Sequence, residues 1–422
     1  MRQLPVNLWK LLKEHGVFVI CLILYTALTL VLFHRQTVEY DGLYISDMPS
    51  YIEEVQGIDS GFSFPYPIYF WVGKCFALFT TPKHAVAFAT MLLNDLAAVV
   101  IYLVFLRLFV MKRQNTDGNQ EGSRGKTCGC ALFTFALLLV SMAYPLTAEY
   151  LSGEAHRYLG VFSPNPYHNG TYLAARAFML LAFFSFSDLL DAKEEKEVRK
   201  KGLLFSLWLL LATMTKPSFT LIFGAAVLVL LIVRLIAEKG KNFRVLLILA
   251  LLFIPTILDL VYQYFGVCIF GDTGGASAES LGIGVGIATV WGNLTDSIPV
   301  AVFRGILFPL VIALCYSDAF RITWYRLSWE VYLAGFLSAL LLYEKGYRMM
   351  HMNFAWGYMA GMFLLYMTAL MVLILHTPSL KDLKGAKRSN KLRLLAGWCT
   401  FCYHLICGII YFGYLWNGGL FH

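Results

Sequence analysis

"PYPIYFWVGKCFALFTTPKHA", residues 65–85, is the stretch on which the topology of this 422-residue chain turns. A membrane-crossing helix needs about 20 mostly apolar residues, and the apolar part here is about sixteen, with Lys74 near its middle. It suits a helix lying in the membrane interface better than a span. The distribution of positive charge agrees. Eleven other segments read as spans: 17–33, 85–110, 128–145, 171–187, 202–215, 218–236, 245–264, 299–316, 328–343, 357–376 and 394–416. With the N-terminus inside and 66–81 left interfacial, inside segments hold 23 of the 34 Lys and Arg, outside segments 7 and spans 4. Making 66–81 a span would put the basic loop "KRQNTDGNQEGSRGK" outside, against the positive-inside bias.

Composition fixes the class. The chain is 59% hydrophobic and 14% charged, with mean hydropathy +0.65, whereas soluble domains carry about 25% charge. The expected fold is an all-α polytopic membrane protein of about 11 transmembrane helices, one transmembrane domain over residues 1–422, with juxtamembrane helices in the first outer loop. The net charge of +8 is spent on topology and does not point to nucleic acid. The start "MRQLPVNLWKLLKEHG" lacks a small-residue cleavage site and reads as part of an uncleaved anchor. The nine cysteines lie mostly in apolar runs and read as free thiols. The pairs Cys128/Cys130 and Cys399/Cys402 have no His at zinc-site spacing. "GIGVGIA", 282–288, follows no strand and opens no βαβ unit, so it is not a nucleotide loop.

The inside loops are basic connectors. The outer loops (34–84, 146–170, 265–298 and 344–356, with the break at Lys216-Pro217) carry the polar residues of interest. Asp47 stands some fourteen residues past the first span, with Glu53 and Glu54 next along. It reads as a general base, as a ligand for a divalent cation (Mg2+ or Mn2+), or as part of a plain acidic loop. Lys216 sits between "LLLATMT" and "PSFTLIF"; it either grips an anion such as a lipid phosphate or snorkels to the interface. Glu344, Arg348 and His351 fall at spacings of four and three, one face of a helix, fit for a phosphate or for a capped Glu–Arg pair. "SPNPYHNGTY" presents Asn165, His168 and Asn169, suited to sugar hydroxyls or to a polar re-entry turn.

The arrangement resembles the GT-C superfamily of integral-membrane glycosyltransferases. "YISDMPSYI" stands where its first-loop acidic motif stands, "FPYPIYFWVGKCFALF" as its juxtamembrane helix, and "AEYLSGEAHRY" as its second acidic loop. More narrowly, "SDMPSYI", "SPNPYHNGTYLAARAF", "TKPSF" and "EKGYRMMHMNFAWGY" look like signatures of an uncharacterised bacterial multi-pass branch of it. The resemblance implies an inverting transfer from a polyprenyl-phosphate sugar to a glycan, lipid or protein acceptor on the outer face of the cytoplasmic membrane, the C-terminus lying outside. Asp47 matches the first-loop acid, the general base. Glu149 or Glu154 stands for the second-loop acid. Lys216 and Arg348, with His351, hold the donor phosphate by position; Asn165, His168, Asn169 and Glu344 are left for sugar or acceptor. The first loop lacks the paired Asp-Glu or Asp-Asp of several subfamilies, which leaves the metal open.

Two other classes fit the same architecture. A ligase or polymerase of lipid-linked glycans would use loop 265–298 for its acceptor, yet that loop has no Lys or Arg. A transporter or flippase of lipid-linked sugars needs polar residues along a path through the bilayer, and the spans offer few.

Overall fold

The computed structural model describes residues 8–40, 42–114, 123–149, 163–192, 194–268, 282–295, 297–378, 380–385 and 387–420. Among them the chain is an all-α bundle with one two-stranded sheet. Seven helices are long and apolar enough to cross a membrane, and a bent pair makes up to eight. The long ones are α1 (Leu8–Val38), α4 (Pro82–Gln114), α6 (Gly170–Leu190), α8 (Ser218–Ala237), α11 (Ile298–Cys315), α13 (Asn353–His376) and, past the short α14 (Leu380–Gly385), α15 (Arg388–Trp416). The bent pair is α9 (Phe243–Leu251) and α10 (Ile254–Cys268), 40° apart. Pro255 lies in the first turn of α10, where its missing N–H is tolerated but cannot continue the ladder of α9.

Three expected spans are helical but fall short of that standard. They are α5 (Ser123–Leu139), α7 (Glu195–Thr215) and α12 (Thr323–Leu341). α5 has 17 residues; α7 opens on "EKEVRKK", and α12 carries Arg326 and Glu330. The stretch judged too short is indeed short: α3 is Ile68–Ala77, ten residues, or about 15 Å at 1.5 Å per residue, half the hydrocarbon thickness. α2 (Met48–Gln56) precedes it, and Lys74 of α3 pairs with Glu54 of α2 at 3.6 Å.

α13 is the centre of the bundle. Every residue from Ala355 to Ile374 is buried, as expected of a helix apolar on all sides. Small residues let its neighbours approach: a Cβ on Gly335 of α12 would lie 2.9 Å from the Cα of Tyr358. The periphery is the reverse. Ile20, Ile23 and Leu24 of α1, and Leu228, Val229 and Ile232 of α8, are exposed, the apolar exterior a bilayer solvates.

α5 stops six residues early. Residues 140–146 have no regular secondary structure and run between α11 and α15. Their backbone groups are met by neighbours, as an apolar environment requires. Ser141 N donates to His404 O, Ala143 N donates to Arg304 O, and the His404 ring reaches Ser141 O at 2.8 Å. The fit is close enough that a Cβ on Gly408 would lie 1.7 Å from Leu139 O.

The loops sort to two ends. At one end Arg35 reaches Trp416 O, Asp47 N reaches His168 O, Lys216 reaches Thr171, and β1 (Ile283–Val285) pairs antiparallel with β2 (Leu342–Glu344). At the other, Thr127 reaches Glu14 O, Lys112 reaches the carbonyls of Ile374 and Thr377, and Thr323 reaches Asp191.

Candidate active site

Asn169 organises the first end. It is the N-cap of α6, its Oδ1 accepting from Tyr172 N at 2.8 Å. The same oxygen accepts from Thr171 Oγ1 at 2.9 Å and from Lys216 Nζ at 3.4 Å. Its Nδ2 donates to Asp47 Oδ2 at 2.5 Å. A cap residue thus holds a carboxylate on one side of its amide and an ammonium on the other.

Proline chemistry presents Lys216. Pro217 ends α7 and forces the preceding residue out of the helical region; Lys216 is extended, φ −164° and ψ 119°. Its side chain is 6% exposed. Nζ donates to Thr171 Oγ1 at 3.0 Å and lies 4.8 Å from the Trp356 ring and 5.8 Å from that of Tyr66. Burial lowers the ammonium to about 8, against the pull of Asp47. Burial likewise raises the Asp47 carboxyl, opposed by Lys216 and by the Asn169 hydrogen bond. Tyr66 is pushed up by burial and next by Asp47.

Lys216 opens on a cavity of about 450 Å³ that also takes in Tyr66, Gln263, Glu344, Lys345 and Arg348. Three cations and one carboxylate therefore face one space. Arg348 Nε is 3.1 Å from Glu344 Oε1, and Glu344 Oε2 accepts from Asn353 at 2.5 Å. A larger groove of about 700 Å³ lies between α8 and α12, lined by apolar residues such as Ala225, Val229, Leu333 and Leu337. The two cavities share Leu221 and Phe354. From Leu221 to Val233 the groove follows α8 for about 18 Å at 1.5 Å per residue.

The sequence candidates divide. Asp47, Lys216 and Arg348 are brought to one end: Lys216 and Arg348 share the cavity, and Asp47 stands behind Lys216 through Asn169. Glu344 and Arg348 form the expected pair, but on β2 and a 3-10 turn, Gly346–His351, rather than along a helix. His351 is not on the cavity wall; its ring lies 5.3 Å from Phe62. Nor is Asn165, whose Nδ2 donates to Leu137 O and Val140 O and whose Oδ1 accepts from Arg176. Those bonds secure the end of α5 and leave no amide for a sugar. His168 is buried with its ring against Trp356, 5.5 Å away. Asn169 is 3% exposed and positions its neighbours rather than facing a ligand. Glu149 is exposed and off the cavity wall; Glu154 lies outside the described residues.

Arg176, six residues into α6, is fully buried inside the bundle. It is held by Asn165 at 2.5 Å, Asn94 at 2.6 Å and the Phe363 ring at 5.1 Å. Sequence reasoning missed Thr171, Tyr66 and Trp356 as walls of the lysine. Thr171 had a signal, since Asn-Gly-Thr-Tyr before an apolar run is an N-cap signature. Among the described residues no three His, Cys, Asp or Glu group to hold a metal ion.

Compared with known proteins, the chain matches no protein-family model and no curated protein.

Proposed function

We propose that this chain is a GT-C-like membrane glycosyltransferase that moves a sugar, with inversion, from a polyprenyl-phosphate donor to an acceptor hydroxyl at the outer face of the membrane. The carrying observation is one cavity in which Lys216 and Arg348 converge from separate loops, beside a mostly apolar groove between α8 and α12 that shares Leu221 and Phe354 with it. A phosphate on a long hydrocarbon chain has these two halves. The chain would lie along Leu221 to Val233 and the phosphate would meet the cations.

The chemistry follows from that placement. The sugar C1–O bond to phosphate breaks as the acceptor oxygen bonds to C1, and the electron pair leaves on the phosphate. Fixed cations in a water-poor cavity stabilise that growing charge. The acceptor proton goes to Asp47, whose carboxyl burial raises above its ordinary value and so makes a better base. Asn169 keeps base and ammonium at fixed places. Asp47 also has a second use as the counter-charge that keeps Lys216 protonated.

The orientation belongs to the same proposal. Eleven crossings with the N-terminus inside account for the sorting of alternate loops to opposite ends and for the positive charge of one set. The test is transfer by purified protein offered a panel of polyprenyl-phosphate sugars. We expect release of polyprenyl phosphate from one donor, reduced at least a hundredfold in Lys216→Met. Intact lipid-linked sugar crossing the bilayer without cleavage would overturn the reading.

A further inference from the structure

Gln263 is a buried amide with a job half done. It lies on α10, lines the 450 Å³ cavity and is 4% exposed. Its Nε2 donates to Thr213 O at 3.1 Å and to Asp259 Oδ2 at 2.8 Å. Two acceptors on the nitrogen fix which way the amide faces, because the flipped rotamer would set oxygen against both. The other end, Oε1, is buried and has no hydrogen-bond partner. A buried acceptor left unmade is costly, so an unmet one on a residue that lines a cavity marks the place of a donor that arrives with a ligand.

We infer that Gln263 Oε1 accepts a hydrogen bond from a hydroxyl of the donor's sugar and selects the sugar on that ground. The inference rests on the transferase reading above and gives the cavity two poles. Lys216, Lys345 and Arg348 are donors only and attract the phosphate. Gln263 offers an acceptor only, which repels a phosphate oxygen and attracts an O–H. The sugar therefore sits toward α10 and the phosphate toward the Lys216 and Arg348 heads. Ligand specificity built on such a group is strong, since an analogue without the matching hydroxyl leaves the acceptor buried and unpaired.

The test is binding to full-length protein in nanodiscs. The probes are polyprenyl phosphate, its glucosyl, galactosyl and mannosyl forms, and the monodeoxy analogues of whichever binds best. In the wild type we expect one sugar to bind more tightly than bare polyprenyl phosphate, and one deoxy position to lose about tenfold, the worth of roughly one hydrogen bond. Gln263→Leu should lose the same factor on the intact sugar, nothing further on that deoxy analogue, and nothing on bare polyprenyl phosphate. Gln263→Met, which fills the same space without an acceptor, should behave as the leucine variant does; it serves also if the leucine variant does not fold. Equal binding of sugar-bearing and bare lipid by the wild type overturns the inference, as does an equal loss on both in Gln263→Leu. Sugar-selective binding without transfer would retire the transferase and leave Gln263 its role.

Discussion

Lys216 is the residue on which the site depends. Its ammonium falls from 10.5 to about 8, which at 1.36 kcal/mol per unit is a net cost of about 3 kcal/mol, burial less the attraction of Asp47. The sign for stability follows. Between about 8 and 10.5 the unfolded chain holds a proton that the folded chain has released, so this group's destabilisation is full below 8 and relieved as pH rises. Ligand binding runs the other way. A phosphate favours the charged form, so polyprenyl-phosphate affinity should fall up to tenfold per pH unit above about 8. Titrating binding from pH 7 to 10 checks this, and Lys216→Arg, which stays charged, should flatten the curve. Asp47→Asn separates the two roles of the carboxylate. Loss of transfer by at least a hundredfold with lipid-phosphate affinity unchanged makes Asp47 the base; a matching loss of affinity makes it the counter-charge. Of these residues Lys216 was readable, because a lysine beside proline between two apolar runs has few explanations. The sequence offered Asn169 for a sugar and did not show its cap and bridging roles, because both depend on what α2 and Lys216 bring to it. The unmet oxygen of Gln263 left no mark in the sequence at all.

At the scale of elements, the apolar helices were legible from length and composition, and the breaks only where proline causes them. Lys216-Pro217 announces its break, whereas Pro255 lies inside a segment, 245–264, that reads as one span. Residues 140–146 do not announce theirs: the nearest proline is Pro145, and the helix ends at Leu139 because α11 and α15 supply partners for an irregular stretch of backbone. Pro309 in α11 is part of the same arrangement. It has no N–H for Gly305 O, and Tyr366 donates to that carbonyl instead at 2.6 Å. Phe308 N–H turns to His404 Nε2 at 3.2 Å, which leaves Nδ1–H for Ser141 O. Tyr366→Phe should then destabilise the protein by about 1–3 kcal/mol, the penalty of an unsatisfied buried carbonyl, read as a lower midpoint in detergent unfolding. Gly408→Leu should fail to fold, since even a Cβ meets Leu139 O.

At the scale of the molecule, positive charge predicted which loops share a face, and the contacts at the two ends group the same loops. What charge could not give was the distance across each end: that Lys216, Glu344 and Arg348 meet over one cavity comes from α13 standing buried at the centre, with α8 and α12 packed on it. The direction of insertion is checked by labelling right-side-out vesicles with an impermeant maleimide, after replacing Cys75, Cys399 and Cys402, the exposed thiols among the described side chains, and Cys268 as well. Ser60→Cys should label at once and Lys387→Cys only after permeabilisation. The most direct test of the central claim is a structure of the protein in nanodiscs with polyprenyl phosphate bound. The account predicts the phosphate between Lys216 and Arg348 with its hydrocarbon chain along Leu221 to Val233. A phosphate held anywhere else, with the α8–α12 groove filled by ordinary bilayer lipid, would contradict it.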